Sequence, residues 1–133
     1  MQRIFRHLAV AICAVFFGAA SASAESVYVE YYATLADVDL VNSSGVPLGD
    51  SCSILQQDRA NVHRFGRAHS GDRPDPVFGN KTMRARLGDL CQVSGGFPFV
   101  QETINRWGSM YVWVIVYQDA GQLTRMVVRN GAG

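Results

Sequence analysis

The sequence predicts an α+β fold in which a small antiparallel sheet, made of an N-terminal strand and a C-terminal hairpin, is covered on one face by two or three helices. Two observations carry this prediction. Residues of β-branched and aromatic type are dense near residue 30 and again beyond residue 109, which favours strands there. Apolar residues between these regions recur at intervals of three and four, which favours helices. A mostly β sandwich, with the middle segment wrongly assigned as helical, is the alternative.

The strand segments are the clearest elements of the chain. Residues 26–33 have the sequence SVYVEYYA, residues 110–117 the sequence MYVWVIVY, and residues 123–129 the sequence LTRMVVR. Residues 119–121 (DAG) predict a hairpin between the last two strands, built on a type I turn with its glycine in the left-handed position. Residues 42–45 (NSSG) predict a second, short hairpin.

Three helices are predicted between these strands. Residues 50–65 place their apolar side chains on one side of a helix, and Ser51 can cap it. Residues 80–90 predict a second helix that begins after the capping residue Asn80. Residues 98–107 predict a third, which starts at a proline and ends before a glycine.

Residues 1–24 have the three-part pattern of a secretory signal peptide. Arg3 and Arg6 form a basic start, residues 8–20 are apolar or small, and an Ala-Ser-Ala cleavage signal directly precedes Glu25. The apolar run is short of the roughly 20 residues that a membrane-spanning helix needs. We therefore expect cleavage, a mature chain without a transmembrane segment, and periplasmic or secreted localisation. An uncleaved anchor is the alternative.

The remainder, residues 25–133, is expected to form a single small domain. Removal of Arg3 and Arg6 with the leader takes the net charge from +1 to −1. A near-neutral domain lacks the clustered positive charge that is typical of nucleic-acid-binding proteins. Nucleic acid is therefore not an expected partner.

Cys52 and Cys91 are the cysteines of the predicted mature chain, and we expect a disulfide between them. They are 39 positions apart, whereas redox pairs are usually separated by two residues. A zinc site built from these cysteines with His63 and His69 matches no compact ligand spacing. The sequence therefore predicts a structural bridge and no metal or cofactor.

Asp58 falls within the apolar stripe of the first predicted helix. A carboxylate there is costly unless it is paired or hydrogen-bonded. The favoured interpretation is a structural ion pair with an arginine of another element, for which the candidates are Arg84, Arg86 and Arg106. The alternative is an acid or base with a raised pKa.

Arg59 and His63 lie four residues apart on the same predicted helix. With Gln56 they are expected to form a polar ridge that could bind an anion or transfer a proton. Together with Asp58, and with Asp72 or Asp75, they would be the weak catalytic candidates of a small hydrolase or lyase. The sequence contains no nucleophile elbow, zinc-protease motif, phosphate-binding loop or dinucleotide fingerprint.

Aromatic side chains of the strands are the better functional clue. Tyr28 and Tyr32 are expected to share one face of the first strand, and Tyr111, Trp113 and Tyr117 one face of the penultimate strand. If the aliphatic face of that strand packs on the helices, its aromatic face is left outward and marks a binding surface. If both faces are covered, the strand is a buried central one.

The sequence thus favours a small secreted or periplasmic binding module without catalytic activity. Its partner would be an envelope protein, a glycan or a small ligand. The alternative is an extracytoplasmic hydrolase or lyase that uses Asp58, Arg59 and His63.

Overall fold

A computed structural model of the protein describes residues 24–93 and 100–132. The elements follow in the order β1 (Ser26–Ala36), α1 (Ser51–Phe65), α2 (Lys81–Ala85), α3 (Leu87–Leu90), β2 (Cys91–Val93), α4 (Val100–Trp107), β3 (Ser109–Asp119) and β4 (Gln122–Asn130). The predicted α+β fold is confirmed. The predicted signal peptide, apart from its last residue Ala24, lies outside the described residues, as does the predicted start of the third helix. Within the described ranges, no helix combines the length and the apolar character needed to cross a membrane.

The sheet has the strand order β1-β3-β4-β2. β1 pairs antiparallel with β3, which forms the predicted antiparallel hairpin with β4. The short strand β2 adds to the other edge of β4 in parallel, so that the sheet is mixed. Sequence analysis missed β2 because three residues give no readable alternation of apolar and polar side chains.

The turn between β3 and β4 differs from the predicted one. Asp119 pairs directly with Gln122, which leaves only Ala120 and Gly121 in the turn. Their φ angles are 47° and 79°. Positive φ at both central residues is the pattern of a type I′ turn, which matches the twist of the two strands better than a type I turn. The predicted type I turn was therefore wrong.

The second predicted hairpin is reduced to one isolated bridge between Val41 and Pro47. Asn42 makes the turn, because its side-chain oxygen accepts hydrogen bonds from the backbone N–H groups of Ser44 and Val46. The flanking backbone still pairs across this turn, since Asn42 N donates to Val46 O and Leu48 N donates to Leu40 O, both at 2.8 Å.

The helices begin and end at residues with identifiable caps. The side chain of Asp50, and not that of Ser51 as predicted, accepts the hydrogen bond from Ser53 N that caps α1. Asn80 caps α2 as predicted. The predicted second helix is divided into α2 and α3 at Arg86.

The helices cover one face of the sheet, as predicted, and the sandwich alternative was wrong. The sheet contributes the buried side chains Tyr31, Ala33, Leu35, Val112, Val114, Val116, Met126 and Val128 to the core. The helices and the loop after α1 contribute Ile54, Leu55, Val77, Phe78, Leu87, Leu90, Val100 and Ile104. None of the helices in the described ranges packs on the opposite face of the sheet.

The predicted disulfide between Cys52 and Cys91 is confirmed. Their Cα atoms are 5.9 Å apart. The bridge joins the first turn of α1 to the first residue of β2, which directly follows the end of α3 at Leu90. It therefore ties the helical layer directly to the sheet.

Candidate functional site

The sheet face opposite the helices carries an aromatic surface. The valines of β3 point into the core, so Tyr111, Trp113 and Tyr117 point outward. Tyr32 of β1 joins them, since it is the register partner of Trp113. We name these four residues the outer aromatic face. Tyr32 is 37% exposed, and the other three are partly exposed.

The rings of this face are held in fixed positions by one another and by the backbone. Tyr32 and Tyr111 stack with ring centroids 5.2 Å apart and planes within 6°. Trp113 lies 6.3 Å from Tyr32 on centroids. The backbone of Gly131 passes so close to Tyr111 that a Cβ there would lie 2.9 Å from the ring. Only glycine permits this approach, which immobilises one side of the stack.

Charged side chains complete the surface. The Arg125 guanidinium lies 3.6 Å from the Tyr117 ring centroid, and that of Arg129 lies 5.6 Å from the Trp113 ring. The indole N–H of Trp113 donates to Glu30 at 3.1 Å. These contacts orient the rings within the surface.

Tyr28 does not belong to the outer aromatic face. A β-bulge between Val27 and Val29 shifts the register, so that Tyr28 and Tyr32 no longer share a side of the strand. Tyr28 instead lines a depression of about 290 Å³ beside the core residue Val77 and the partly buried Leu123. The expectation that both tyrosines share one face was wrong because sequence does not reveal the bulge.

The second candidate site is a buried charged cluster beneath the other face of the sheet. We use this name for Asp39, Asp58, Arg59, Asp72 and Asp75, with His63 and His69 at its edge.

The pair formed by Asp58 and Arg59 on α1 is the centre of the charged cluster, and both side chains have no exposed area. Arg59 Nε donates to Asp58 Oδ2 at 2.8 Å. The Tyr31 ring covers the guanidinium, 5.0 Å from its centroid. The interpretation of Asp58 as a structural partner of an arginine fits this geometry. The predicted partner was wrong, because the long side chain of Arg59 turns back onto Asp58. The predicted candidates Arg84, Arg86 and Arg106 form no ion pair with Asp58.

Asp75 joins the pair on α1 to the following loop. Its Oδ2 atom lies 3.1 Å from Arg59 Nη1 and 2.7 Å from His63 Nε2. Its Oδ1 atom accepts hydrogen bonds from the backbone N–H groups of Val77 and Phe78. One carboxylate thus anchors the loop segment whose Phe78 enters the core.

Asp72 joins the same loop to the sheet. Its two oxygens accept hydrogen bonds from Thr34 N at 2.7 Å and from His69 N at 2.6 Å. Arg59 Nη2 lies 3.7 Å from it. The arginine is therefore surrounded by three carboxylates, those of Asp58, Asp72 and Asp75.

Sequence analysis missed two members of this region, Asp39 and Asn61. Asn61 Nδ2 donates to Asp39 Oδ1 at 2.8 Å, and Ala36 N donates to Asp39 Oδ2 at 2.9 Å. Asn61 could have been found, since it lies three residues after Asp58 and hence on the same side of α1. For Asp39 no local signal existed, because its burial depends on contacts with α1.

Burial and neighbouring charges shift several pKa values in the charged cluster. Burial raises the pKa of Asp58 to about 8, and the attraction of Arg59 offsets only part of this effect. Burial also raises the pKa of Asp39. Burial acts in the same direction on Asp75, but hydrogen bonds from His63 and Phe78 and the charge of Arg59 outweigh it and lower the pKa.

The structure brings together the predicted catalytic candidates Asp58, Arg59 and His63, with Asp75, but it seals most of them from solvent. Asp58, Arg59 and Asp75 side chains are fully buried, and that of His63 is 16% exposed. A general acid or base must reach the proton that it transfers. The predicted surface ridge was wrong, because Arg59 points inward and Gln56 donates to the backbone oxygen of Arg84. The arrangement is suited to joining α1, the loop and β1.

The disulfide determines what the cysteines can do. Because Cys52 and Cys91 are bonded to each other, neither sulfur is free to bind a metal, which excludes the zinc site with His63 and His69. Over residues 24–93 and 100–132, no group of three or more histidine, cysteine or acidic side chains is placed to hold a metal ion.

Comparison of the chain with protein-family models, with curated proteins and with solved structures found no match. A function must therefore be inferred from the geometry of the chain's own residues. Of the two regions, the outer aromatic face is partly exposed to solvent, whereas Asp58 and Arg59 at the centre of the charged cluster are buried.

Proposed function

We propose that the protein is a binding module without catalytic activity, which acts in the periplasm or outside the cell and binds another protein through the outer aromatic face. The observation that carries this proposal is the position of four stacked or cation-covered aromatic rings on the one sheet face that no described helix covers. The predicted signal peptide and the disulfide are compatible with an oxidising, extracytoplasmic compartment.

The chemistry of the face favours a protein as the partner. Tyrosine, tryptophan and arginine are the residue types that contribute most to binding energy at protein interfaces. The ring faces of Tyr32 and Tyr111 are turned toward each other, and Arg125 covers that of Tyr117. A glycan that stacks on open ring faces would find few of them, whereas a protein surface can contact ring edges, hydroxyl groups and guanidinium groups together.

Retention of an envelope protein by the immobilised protein and by two matched tryptophan variants tests this proposal. Trp113→Ser removes the centre of the face, and Trp107→Ser removes the tryptophan of α4, which is 73% exposed and lies outside the face. We expect a protein retained by the wild type and by Trp107→Ser to be lost with Trp113→Ser. Far-ultraviolet circular dichroism and a cooperative thermal melt check that each variant is folded.

A fluorescence measurement provides an independent readout. The chain has two tryptophans, so Trp107→Phe leaves Trp113 as the sole emitter. Addition of the retained protein should shift this emission to shorter wavelength, since binding removes Trp113 from water. Unchanged emission, equal retention by all variants, or retention of glycans only would contradict the proposal.

A hydrolase or lyase is the second candidate, favoured by the convergence of Arg59 and His63 on one oxygen of Asp75. His63 is the member of this trio with exposed side-chain area. If the site is catalytic, His63→Ala should abolish hydrolysis of ester, glycoside or peptide substrates while the protein stays folded. Activity that is equal in wild type and variant would exclude His63 from the reaction.

A further inference from the structure

A groove in the helical layer has no role in the proposed function. It lies between α1, α2 and the segment around residues 42–48, and its volume is about 540 Å³. Sites for small molecules commonly have about 300 to 1,000 Å³. The groove shares no residue with the outer aromatic face, so either site can exist without the other.

The groove is lined by three cations, Arg64 of α1 with Lys81 and Arg84 of α2, and by no carboxylate. None of the three lies within ion-pairing distance of an acidic side chain among the described residues. Elsewhere the protein pairs its buried Arg59 and its partly exposed Arg125 with carboxylates. The groove therefore gathers positive charge that the described part of the chain does not neutralise.

Arg84 is fixed in place before any ligand binds. Its Nη1 atom donates to the backbone oxygens of Phe78 and Gly79, at 2.7 and 2.9 Å. Its own backbone oxygen accepts a hydrogen bond from Gln56 Nε2 at 2.9 Å. Because a guanidinium has five N–H donors, Nη1 can be held in this way while other donors remain for an anion. A preset donor loses little conformational entropy on binding.

The other residues that line the groove are uncharged, and three of them are apolar. Leu48, Ala60 and Ala85 lie beside the cations, with the amide side chain of Gln57 at the same groove. We infer that the groove binds a small organic anion. Its phosphate or carboxylate group would contact Arg64, Lys81 and Arg84, and a short apolar body would lie on the alanine and leucine side chains.

Nuclear magnetic resonance titration of the isotopically labelled protein tests this inference. The probes are phenyl phosphate, benzoate and inorganic phosphate, each added at constant ionic strength with sodium chloride as reference. We expect saturable shifts centred on Gln56, Lys81 and Arg84. Phenyl phosphate or benzoate should bind more tightly than inorganic phosphate, because the apolar lining contributes to binding. The stronger of the two organic probes identifies the preferred anionic group.

Charge-removing variants locate the site. Lys81→Gln and Arg64→Gln should each weaken binding of the stronger organic probe by about two- to fivefold, as expected for exposed charges. Arg86→Gln removes the same charge from an exposed neighbour outside the lining and should leave the affinity within a factor of two. Shifts that do not saturate, shifts spread over all basic residues, or an equal effect of Arg86→Gln would overturn the inference.

Discussion

The outer aromatic face and the charged cluster lie on opposite sides of the same sheet, and they differ in the solvent exposure of their side chains. Tyr31 and Tyr32 are neighbours in β1, yet Tyr31 is 3% exposed and lies on Arg59, whereas Tyr32 is 37% exposed and stacks on Tyr111. The charged cluster buries side chains of a type that usually faces water. The outer aromatic face exposes, in part, rings of a type that is usually buried. A side chain's chemical type therefore does not indicate its role here until its access to solvent is known.

The two regions also differ in what a substitution should do. Buried charges are costly to leave unpaired, because no water replaces a lost partner. Aromatic pairs at the surface stabilise by about 0.5 to 1.5 kcal/mol beyond the area that they bury. Substitutions in the charged cluster should therefore act on folding, and those on the outer aromatic face on binding.

Replacement of Arg59 should have the largest effect. Arg59→Met keeps much of the side-chain volume but leaves Asp58, Asp72 and Asp75 without their shared cation. Removal of one partner from a buried ion pair typically costs about 3 to 5 kcal/mol. Urea unfolding should show this loss as a lower midpoint.

Arg129→Met is the matched control, since Arg129 is exposed and lies over Trp113 on the outer aromatic face. It should change the free energy of unfolding by less than about 1 kcal/mol. Equal losses in the two variants would contradict the contrast between the regions.

Reduction of the disulfide should have the next largest effect. Loss of a native bridge from a small secreted domain typically costs about 2 to 5 kcal/mol. The bridge fastens the first turn of α1, the helix that carries Asp58 and Arg59, to β2. A reductant should therefore lower the melting temperature of the wild type.

The double variant Cys52→Ala/Cys91→Ala should melt at the lowered temperature whether or not reductant is present. Mass spectrometry after alkylation without reduction supplies the direct check. Two alkylated thiols in protein isolated without reductant would refute the bridge.

The sequence predicted some features of the two regions and of the disulfide, but not others. The aromatic run of β3 indicated its own strand, and alternation then fixed which side chains share a face. The disulfide followed from the cysteine count and the predicted compartment. Such features are local or depend on composition, so a single sequence can indicate them.

The missed features depend on contacts between distant segments. Whether the aromatic side of β3 faces water depends on which side the helices pack against. The burial of Asp39 depends on α1, and β2 exists only because β4 offers it an edge. No local pattern encodes these pairings, which explains why Arg59 was expected on a surface that it does not reach.

The stability of the folded protein should depend on pH through the protonation of Asp58. Its pKa is raised by burial to about 8 in the folded protein, against about 4 in an unfolded chain. The folded state therefore binds the proton more tightly, and its stability falls as pH rises from about 4 to about 8. Thermal melts of the wild type and of Asp58→Asn at a series of pH values measure this dependence of stability on pH.

Asp58→Asn places an uncharged side chain of the same shape in this position, so the decline of melting temperature between pH 5 and 8 should become shallower. His63, His69 and Asp39 are present in both proteins, so the difference between the two curves reports Asp58. Asp89→Asn, at an exposed position of α3, should leave the curve parallel to that of the wild type. Parallel curves for Asp58→Asn as well would mean that burial does not raise this pKa.

The smallest change in stability is expected when the hydroxyl groups of Tyr31 and Tyr32 are removed. The hydroxyl group of Tyr31 is buried and has no hydrogen-bond partner among the described residues. A buried polar group without a partner costs about 1 to 3 kcal/mol, so Tyr31→Phe should leave stability unchanged or raise it by up to about 1 kcal/mol while its ring still covers Arg59. Tyr32→Phe removes a hydroxyl from the outer aromatic face and should stay within about 0.5 kcal/mol of wild type in urea unfolding. A clear loss of stability in Tyr31→Phe alone would show that this hydroxyl is a hydrogen-bonded member of the charged cluster, whose polar network would then extend into the sheet.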